Sequence, residues 1–229
     1  MAIIEVKNLH KIYDETNVPV KAVNGIDLKV EKGEFTAIVG PSGSGKTTLL
    51  NMIGGLDKPT RGEVVINDTK IHDLKSKDMI NFRLMNIGFV FQAYNLIPVL
   101  TAKENVAFIM ELQKVSRKDR NQRAMELLRN TGIGDKANYR PGDLSGGQQQ
   151  RVSVARALAS KPQFILADEP TANLDSKSTA DLLDMMLDMN RESEITFIFS
   201  THDQRVIDRA RRVVTIEDGK ISSDKTREN

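Results

Sequence analysis

The sequence contains no cysteine, and its charges nearly cancel, with 33 Lys and Arg against 31 Asp and Glu. Without cysteine the chain forms no disulfide framework and no zinc or iron–sulfur site with cysteine ligands. A formal net charge of only +2 argues against a general binder of polyanions. We therefore expect no nucleic-acid partner, since binding to nucleic acid depends on clustered positive charge.

Long apolar runs are also missing from the sequence. No stretch approaches the roughly 18 to 20 apolar residues that a membrane span needs. The first seven residues lack the basic region and apolar stretch that mark a secretory signal. We therefore expect a cytoplasmic protein that meets a membrane only through a partner. Its 229 residues, 39% of them hydrophobic, are enough for one large domain with a substantial core.

The residue pattern predicts an α/β fold in which a helical subdomain interrupts a mostly parallel sheet. Residues 1–74 and 157–229 are predicted to form a β lobe and a sheet core, because apolar strands alternate there with helices. Residues 75–156 have helical patterns, and the polar tail 222–229 is predicted to be frayed. Predicted strands cover 3–6, 21–23, 26–30, 35–39, 164–167, 195–199 and 212–216, and predicted helices cover 47–53, 76–85, 101–113, 117–130, 148–159, 176–191 and 204–210.

One glycine-rich segment, Gly40-Pro41-Ser42-Gly43-Ser44-Gly45-Lys46-Thr47, follows a predicted buried strand and opens a predicted helix. This is the P-loop pattern, in which backbone N–H groups and a helix N-terminus face phosphate oxygens. We expect Lys46 to reach the β- and γ-phosphates and the Thr47 hydroxyl to ligate Mg²⁺. The alternative is a turn that fits the pattern by chance, and the flanking strand and helix argue against it.

A pair of acids, Asp168 and Glu169, ends an apolar strand. Phosphoryl-transfer sites need a carboxylate for the metal beside the phosphate-binding loop. We expect Asp168 to hold Mg²⁺, through a water, and Glu169 to act as general base toward the attacking water. Acids at strand ends are also common turn residues, but two in succession before Pro170 favour the site.

A second glycine-containing loop, Leu144-Ser145-Gly146-Gly147-Gln148, precedes another predicted helix. Ser145 is a favourable N-cap, and the backbone amides and helix dipole again face an anion. On the residues alone three interpretations stay open. The chain has two nucleotide sites, or this loop serves the nucleotide of another subunit, or it is a plain capped turn.

In their order and spacing, these three segments resemble the Walker A, signature and Walker B motifs of ATP-binding-cassette (ABC) ATPases. The resemblance extends from about residue 3 to residue 221. It implies ATP hydrolysis with ATP and Mg²⁺ as cofactors. It also implies a P-loop NTPase fold with a RecA-like parallel-sheet core, an N-terminal antiparallel β lobe and a helical subdomain that carries the signature.

The resemblance implies further site residues. Gln92 matches the Q-loop glutamine, Asp175 lies in the D-loop, and Tyr13 stands where the family places an aromatic ring on adenine. His202 matches the switch histidine, which holds the γ-phosphate and the attacking water. The implied catalytic residues are Lys46, Glu169 and His202, and the implied metal ligands are Thr47, Gln92 and Asp168. The implied nucleotide contacts are Tyr13, Gly40, Pro41, Ser42, Gly43, Ser44, Gly45, Lys46, Thr47, Thr48, Gln92, Ser145, Gly146, Gly147, Gln148 and Asp175.

The family further implies a head-to-tail dimer of two copies with two ATP molecules at the interface. Each ATP lies on the P-loop of one copy and is capped by the residues 145–148 of the other. Of the three interpretations of the second loop, the resemblance therefore selects the one that involves another subunit.

Finer features resemble the branch with the lipoprotein-release and macrolide-export ATPases. They lie in the run 86–106 and in Gly146-Gly147-Gln148-Gln149-Gln150-Arg151. This implies the ATPase subunit of a transporter or mechanotransmission complex, peripheral on the inner face of the cell membrane, with a permease docking near Gln92–Thr101. The alternative is a soluble ABC ATPase acting on DNA or ribosomes. Those proteins usually carry two cassettes or a long coiled-coil insertion, and this sequence has neither.

Overall fold

A computed structural model describes residues 2–14 and 19–227 of the chain. The strands are β1 (Ala2–Tyr13), β2 (Val20–Glu31), β3 (Phe35–Val39), β4 (Arg61–Ile66), β5 (Thr69–Lys70), β6 (Ile87–Phe91), β7 (Phe164–Asp168), β8 (Thr196–Ser200), β9 (Arg212–Glu217) and β10 (Lys220–Thr226). The α-helices are α1 (Lys46–Ile53), α2 (Ser76–Asn86), α3 (Ala102–Leu112), α4 (Arg117–Asn130), α5 (Gly146–Ala159), α6 (Ser176–Ser193) and α7 (Gln204–Arg209).

The N-terminal strands form an antiparallel sheet in the order β2-β1-β4-β5. The two short strands predicted at 21–23 and 26–30 are one continuous strand, β2, which passes through Gly25 at a φ of 80°. Strands β4 and β5 were not predicted, because glycine and charged residues break the apolar alternation there. This sheet buries one face, with Ile4, Leu9 and Ile26 almost inaccessible to solvent.

The central sheet has the order β10-β9-β3-β8-β7-β6, and its five strands from β9 to β6 run parallel. Its strands are apolar because helices and the β lobe cover both faces, so that Phe35, Phe164, Phe197 and Phe199 are fully buried. Parallel strands bring their carboxyl ends to one edge of a sheet, and ligands bind in the crevice outside that edge. The segments that follow β3, β6, β7 and β8 therefore meet there.

Helices α3, α4 and α5 pack together beside this sheet and share a core that includes Val106, Leu128 and Val152. The architecture is the predicted α/β fold, with a parallel-sheet core, an antiparallel β lobe and a helical subdomain. Strand β6, within the predicted helical range 75–156, belongs instead to the central sheet. Gly88 lets β6 approach α5 closely, since a Cβ there would lie 2.8 Å from the Ala157 carbonyl oxygen.

The prediction that residues 222–229 form a frayed tail is wrong for residues 222–226, which belong to β10. This strand pairs antiparallel with β9, and the Arg212 guanidinium holds the Asp224 carboxylate with two hydrogen bonds of 2.8 and 2.7 Å. Polar residues suit an edge strand because much of it faces water. Residues 228 and 229 lie outside the described residues. Among residues 2–14 and 19–227, no helix is long and apolar enough to span a bilayer.

Candidate nucleotide site

The P-loop (Gly40–Thr47) connects β3 to α1 and needs glycine at two positions for steric reasons. Gly40 has a φ of 151°, and a Cβ there would lie 2.1 Å from the Ile216 carbonyl oxygen. Gly45 has a φ of 101°, and its Cβ would lie 2.1 Å from the Ala22 carbonyl oxygen. Both values belong to a backbone region that other L-residues avoid. The loop is therefore shaped by its contacts with β9 and β2.

The groups at the end of the P-loop are arranged to receive an anion. Gly45 is the N-cap of α1 and supplies no side-chain cap, so the first amides of the helix keep their hydrogen-bonding capacity. The Lys46 ammonium lies against the loop, 2.9 Å from the carbonyl oxygens of both Gly40 and Pro41. The Ser44 hydroxyl is buried without a hydrogen-bond partner in the described part of the chain. Positive charge, helix dipole and free donors thus converge, as phosphate binding requires.

Two oxygen ligands suited to Mg²⁺ meet between α1 and β7. The Thr47 hydroxyl donates a 3.0 Å hydrogen bond to the Asp168 carboxylate. Mg²⁺ prefers oxygen ligands and commonly uses one or two protein groups together with substrate phosphates and waters. The hydroxyl and carboxylate fit that requirement. Gln92 follows the end of β6 and is exposed at the same edge of the sheet.

Glu169 and His202 are in direct contact. The distance between the His202 Nδ1 and the Glu169 Oε1 is 2.7 Å, and the Thr201 hydroxyl donates to the Glu169 Oε2 at 3.1 Å. The Glu169 backbone has a φ of 46°, an uncommon value for a residue with a side chain. Its N–H donates to the Ser200 carbonyl at 2.8 Å, which ties this turn to the end of β8. The carboxylate is therefore fixed at both oxygens and through its backbone.

The signature loop (Leu144–Gln148) forms a capping box at the start of α5. The Gln148 N–H donates to the Ser145 hydroxyl at 3.3 Å, and the Ser145 N–H donates to the Gln148 side chain at 2.9 Å. Ser145 is exposed, and Gly146 and Gly147 already belong to the helix. Within residues 2–14 and 19–227, no hydrogen bond or ion pair joins this loop to the P-loop.

The segment after Gln92 is held by side chains that the sequence patterns did not single out as site residues. Asn173 donates to the Gln92 carbonyl at 3.0 Å. Arg156 of α5 donates to the carbonyls of Tyr94 and Asn95, which both have positive φ values. Burial lowers the pKa of Arg156. Because its partners are backbone carbonyls of a distant loop, no local motif could have identified these contacts.

Asp175 and Tyr13, two of the predicted nucleotide contacts, have protein partners in the structure. Asp175 is the N-cap of α6, and the hydrogen bond from the Ser178 backbone lowers its pKa. Tyr13 lies at the end of β1 and is 37% exposed, and its hydroxyl donates to Asp57 at 2.7 Å. Thr48 lies in the first turn of α1 and is half-buried.

Comparisons with known proteins agree with these features. The family model described as "ABC transporter" matches residues 23–172. An uncharacterized ABC transporter ATP-binding protein of Thermotoga maritima is 45% identical, over 96% of this chain and 93% of its own length. The lipoprotein-releasing system ATP-binding protein LolD of Syntrophus aciditrophicus is 41% identical, over 95% of this chain and 98% of its own.

A solved structure gives the same result for the fold. It is the dimeric, post-hydrolysis state of the ATP-binding cassette MJ0796 of Methanocaldococcus jannaschii, bound to ADP and Pi. Its TM-score to this chain is 0.91, with 41% sequence identity over 99% of both chains. The predicted P-loop NTPase fold is thereby confirmed.

Proposed function

The chain belongs to the ABC transporter family and is the ATP-hydrolysing subunit of a transporter. From this we propose that two copies close head to tail around two ATP molecules and so drive a permease. The observation that carries this proposal is that the starts of α1 and α5, which both carry glycines, make no hydrogen bond to each other among the described residues 2–14 and 19–227. In a symmetric pair, the P-loop of each copy faces the signature loop of the other. Each chain then contributes half of two identical sites.

In this pair, ATP lies with its phosphates on the P-loop. The first-turn amides of α1 and the Lys46 ammonium bind the β- and γ-phosphate oxygens. Thr47, Asp168 and Gln92 would hold a Mg²⁺ ion, which would neutralise phosphate charge. The partner copy brings Ser145 and the amides of Gly146 and Gly147 to the γ-phosphate. Because Ser145 is exposed and caps its own helix, this loop keeps its shape before the partner arrives.

Hydrolysis then depends on Glu169 and His202. A carboxylate has four lone-pair sites on its two oxygens. Glu169 therefore accepts the proton of the attacking water while it keeps its contacts with His202 and Thr201. His202 donates from Nδ1 to Glu169, and its other ring nitrogen, Nε2, donates to the γ-phosphate when both ring nitrogens carry a proton. Opening of the dimer after hydrolysis returns the permease to its starting state.

The experiment for this proposal is Glu169→Gln, which keeps the size of the side chain but removes the base. We expect ATP turnover to fall by at least about 100-fold, as loss of a general base does. Sedimentation should show a monomer without ATP and a stable dimer with two bound ATP molecules. Glu126→Gln is the matched control, because Glu126 is exposed on α4. Normal turnover in the Glu169 variant would remove this residue as the base.

A permease contact surface lies beside the Q-loop. A groove of about 460 Å³ is lined by Leu56, Ile80, Phe89, Ile97 and Phe108 among others. Exposed apolar side chains border it, and Ile80 is 56% exposed. Apolar patches of this kind mark protein contacts. We place the cytoplasmic segment of a permease here and on the adjoining residues Gln92–Thr101, with the protein on the inner face of the cell membrane.

In this proposal the complex works in lipoprotein release or in export. The LolD relative and the resemblance of the run 86–106 support this assignment. The alternative, an ATPase that acts on DNA or ribosomes, has less support, because the cited relatives are named for an ABC transporter and for lipoprotein release. Purification of the tagged chain from gently solubilised cells distinguishes the two. Recovery with a membrane protein supports the transporter function, and recovery with ribosomes or DNA alone contradicts it.

A further inference from the structure

Tyr13 is held by two charged side chains that no motif includes. Its hydroxyl donates to Asp57 Oδ2 at 2.7 Å. The Lys11 ammonium lies 4.8 Å from the centre of the Tyr13 ring and also forms an ion pair with Asp57. Lys11 and Asp57 are largely shielded from water, with side chains 14% and 27% exposed. The ring is thus fixed at its hydroxyl and covered by a cation on one face.

The segment that carries Asp57 also ties the end of β1 to the P-loop helix. The Asp57 N–H donates to the carbonyl of Asn51 in α1 at 3.2 Å. Thr60 accepts from the Ile12 N–H at 3.0 Å, and its own N–H donates to the His10 carbonyl at 2.8 Å. Strand β1 and helix α1 are therefore joined through residues 57–60. The position of the Tyr13 ring depends on these contacts.

The charges around Tyr13 favour this arrangement at neutral pH. Burial and the hydrogen bond to Asp57 raise the pKa of the Tyr13 hydroxyl, so it stays protonated and remains a donor. Burial alone would raise the pKa of Asp57, but hydrogen bonds from Lys11 and Tyr13 outweigh burial and lower it. The carboxylate therefore stays ionised, and it accepts from both neighbours.

We propose that Asp57 and Lys11 are positioning residues that hold the Tyr13 ring at a fixed distance from the P-loop, so that it stacks on the adenine of bound ATP. Because Lys11 covers one face of the ring, the base stacks on the opposite face. This inference rests on the proposed function for the ATP site, and it takes Tyr13 as the adenine contact that the family resemblance implies. In this proposal, residues 11 and 57 determine where adenine binds, whereas residues 40–47 determine where the phosphates bind.

The proposal separates adenine binding from phosphate binding, so ATP and inorganic tripolyphosphate are the two probes. Stacking of a base on an aromatic ring is lost in Tyr13→Ala, and we expect ATP affinity to fall about tenfold. Asp57→Asn keeps the shape but removes the charge, and we expect a loss of ATP affinity of about three- to fivefold. Tripolyphosphate affinity should stay unchanged in both variants. Calorimetry measures all four affinities, and circular dichroism checks the fold.

Control variants make each outcome decisive. Asp135→Asn removes a carboxylate that is 72% exposed in the helical subdomain, and ATP affinity should not change. Lys46→Ala should abolish binding of both ATP and tripolyphosphate, which tests the nucleotide site itself. In the double variant Tyr13→Phe and Asp57→Asn, the affinity losses of the two single variants should not add, because both changes weaken the contact between the same two side chains.

Three results would overturn the proposal. If Tyr13→Ala weakens ATP binding but Asp57→Asn does not, adenine stacks on Tyr13 without a positioning residue. If Asp57→Asn weakens ATP and tripolyphosphate equally, Asp57 acts on the whole loop. If Tyr13→Ala leaves ATP affinity unchanged while Lys46→Ala abolishes it, the nucleotide site stands and the adenine contact lies elsewhere.

Discussion

The P-loop and the signature loop both precede a helix, but they satisfy their helix starts in different ways. The P-loop places Gly40, Gly43 and Gly45 at positive φ and has no side-chain cap. The signature loop has no positive-φ residue, and its Ser145 and Gln148 form a complete capping box. The backbone amides at the P-loop helix start are free to bind a ligand. At the signature loop, the capping box already satisfies some of these amides.

In the proposed dimer, this difference lets one chain supply two unlike halves of a nucleotide site. The P-loop has glycines, a buried lysine and contacts with β2 and β9 that fix its shape, which suits the proposed binding of phosphates. The signature loop is a stable, exposed helix end that can approach a ligand already bound elsewhere. Substitutions in the P-loop should therefore affect binding of ATP to a single copy. Substitutions in the signature loop should affect dimer formation, and with it turnover, but not that binding.

The largest expected difference is between Lys46→Ala and Ser145→Arg. Removing the Lys46 ammonium should lower ATP affinity by at least about 100-fold, because a charge-assisted contact to phosphate is lost. Ser145→Arg should leave ATP binding to the monomer intact while it blocks dimer formation and turnover. Calorimetry on the monomer and sedimentation with ATP separate the two effects.

The proposed difference between the P-loop and the signature loop is contradicted if the two variants behave alike. Weak ATP binding in a monomeric Ser145→Arg protein would mean that both loops contact the nucleotide within one chain. Unchanged turnover in that variant would refute the composite site.

A smaller difference is expected from adding a methyl group to each loop. Gly45→Ala forces a side chain into positive φ and against the Ala22 carbonyl, so it should destabilise the fold by roughly 3 kcal/mol and lower Tm by about 10 °C. Gly147 is helical, and a Cβ there meets only the Ser178 side chain at 3.0 Å. Gly147→Ala should therefore change Tm by less than about 3 °C, while it weakens ATP-dependent dimerisation.

Thermal unfolding by circular dichroism measures both variants under the same conditions. Gly142→Ala is a control, because a Cβ at Gly142 has no neighbour within 4 Å. Equal Tm losses at Gly45 and Gly147 would contradict the difference in backbone shape between the two loops.

Much of the site could be predicted because its chemistry demands particular residue types at short spacing. The P-loop glycines, the acids after β7 and the serine before α5 are each local patterns, and the structure places them at strand and helix ends. The parallel strands were predicted where they are apolar and buried, as in Phe35–Val39.

The parts that escaped prediction depend on distant contacts or on polar strands. Strand β10 exists because Arg212 and β9 hold a polar segment, and nothing in its own composition indicates a strand. Asp57 lies in an ordinary turn after α1, and only the fold brings it to Tyr13. The positive φ of Glu169 follows from its tie to β8, which lies about thirty residues further along the chain.

Mixing Lys46→Ala with Ser145→Arg tests the central claim most directly. Neither variant alone forms an intact site, but a mixed dimer combines the P-loop of the Ser145 variant with the signature loop of the Lys46 variant. Random pairing makes half of the dimers mixed, each with one intact site of two, so ATPase activity should recover to about a quarter of the unmodified protein. A mixture as inactive as its components would contradict a site shared between two copies.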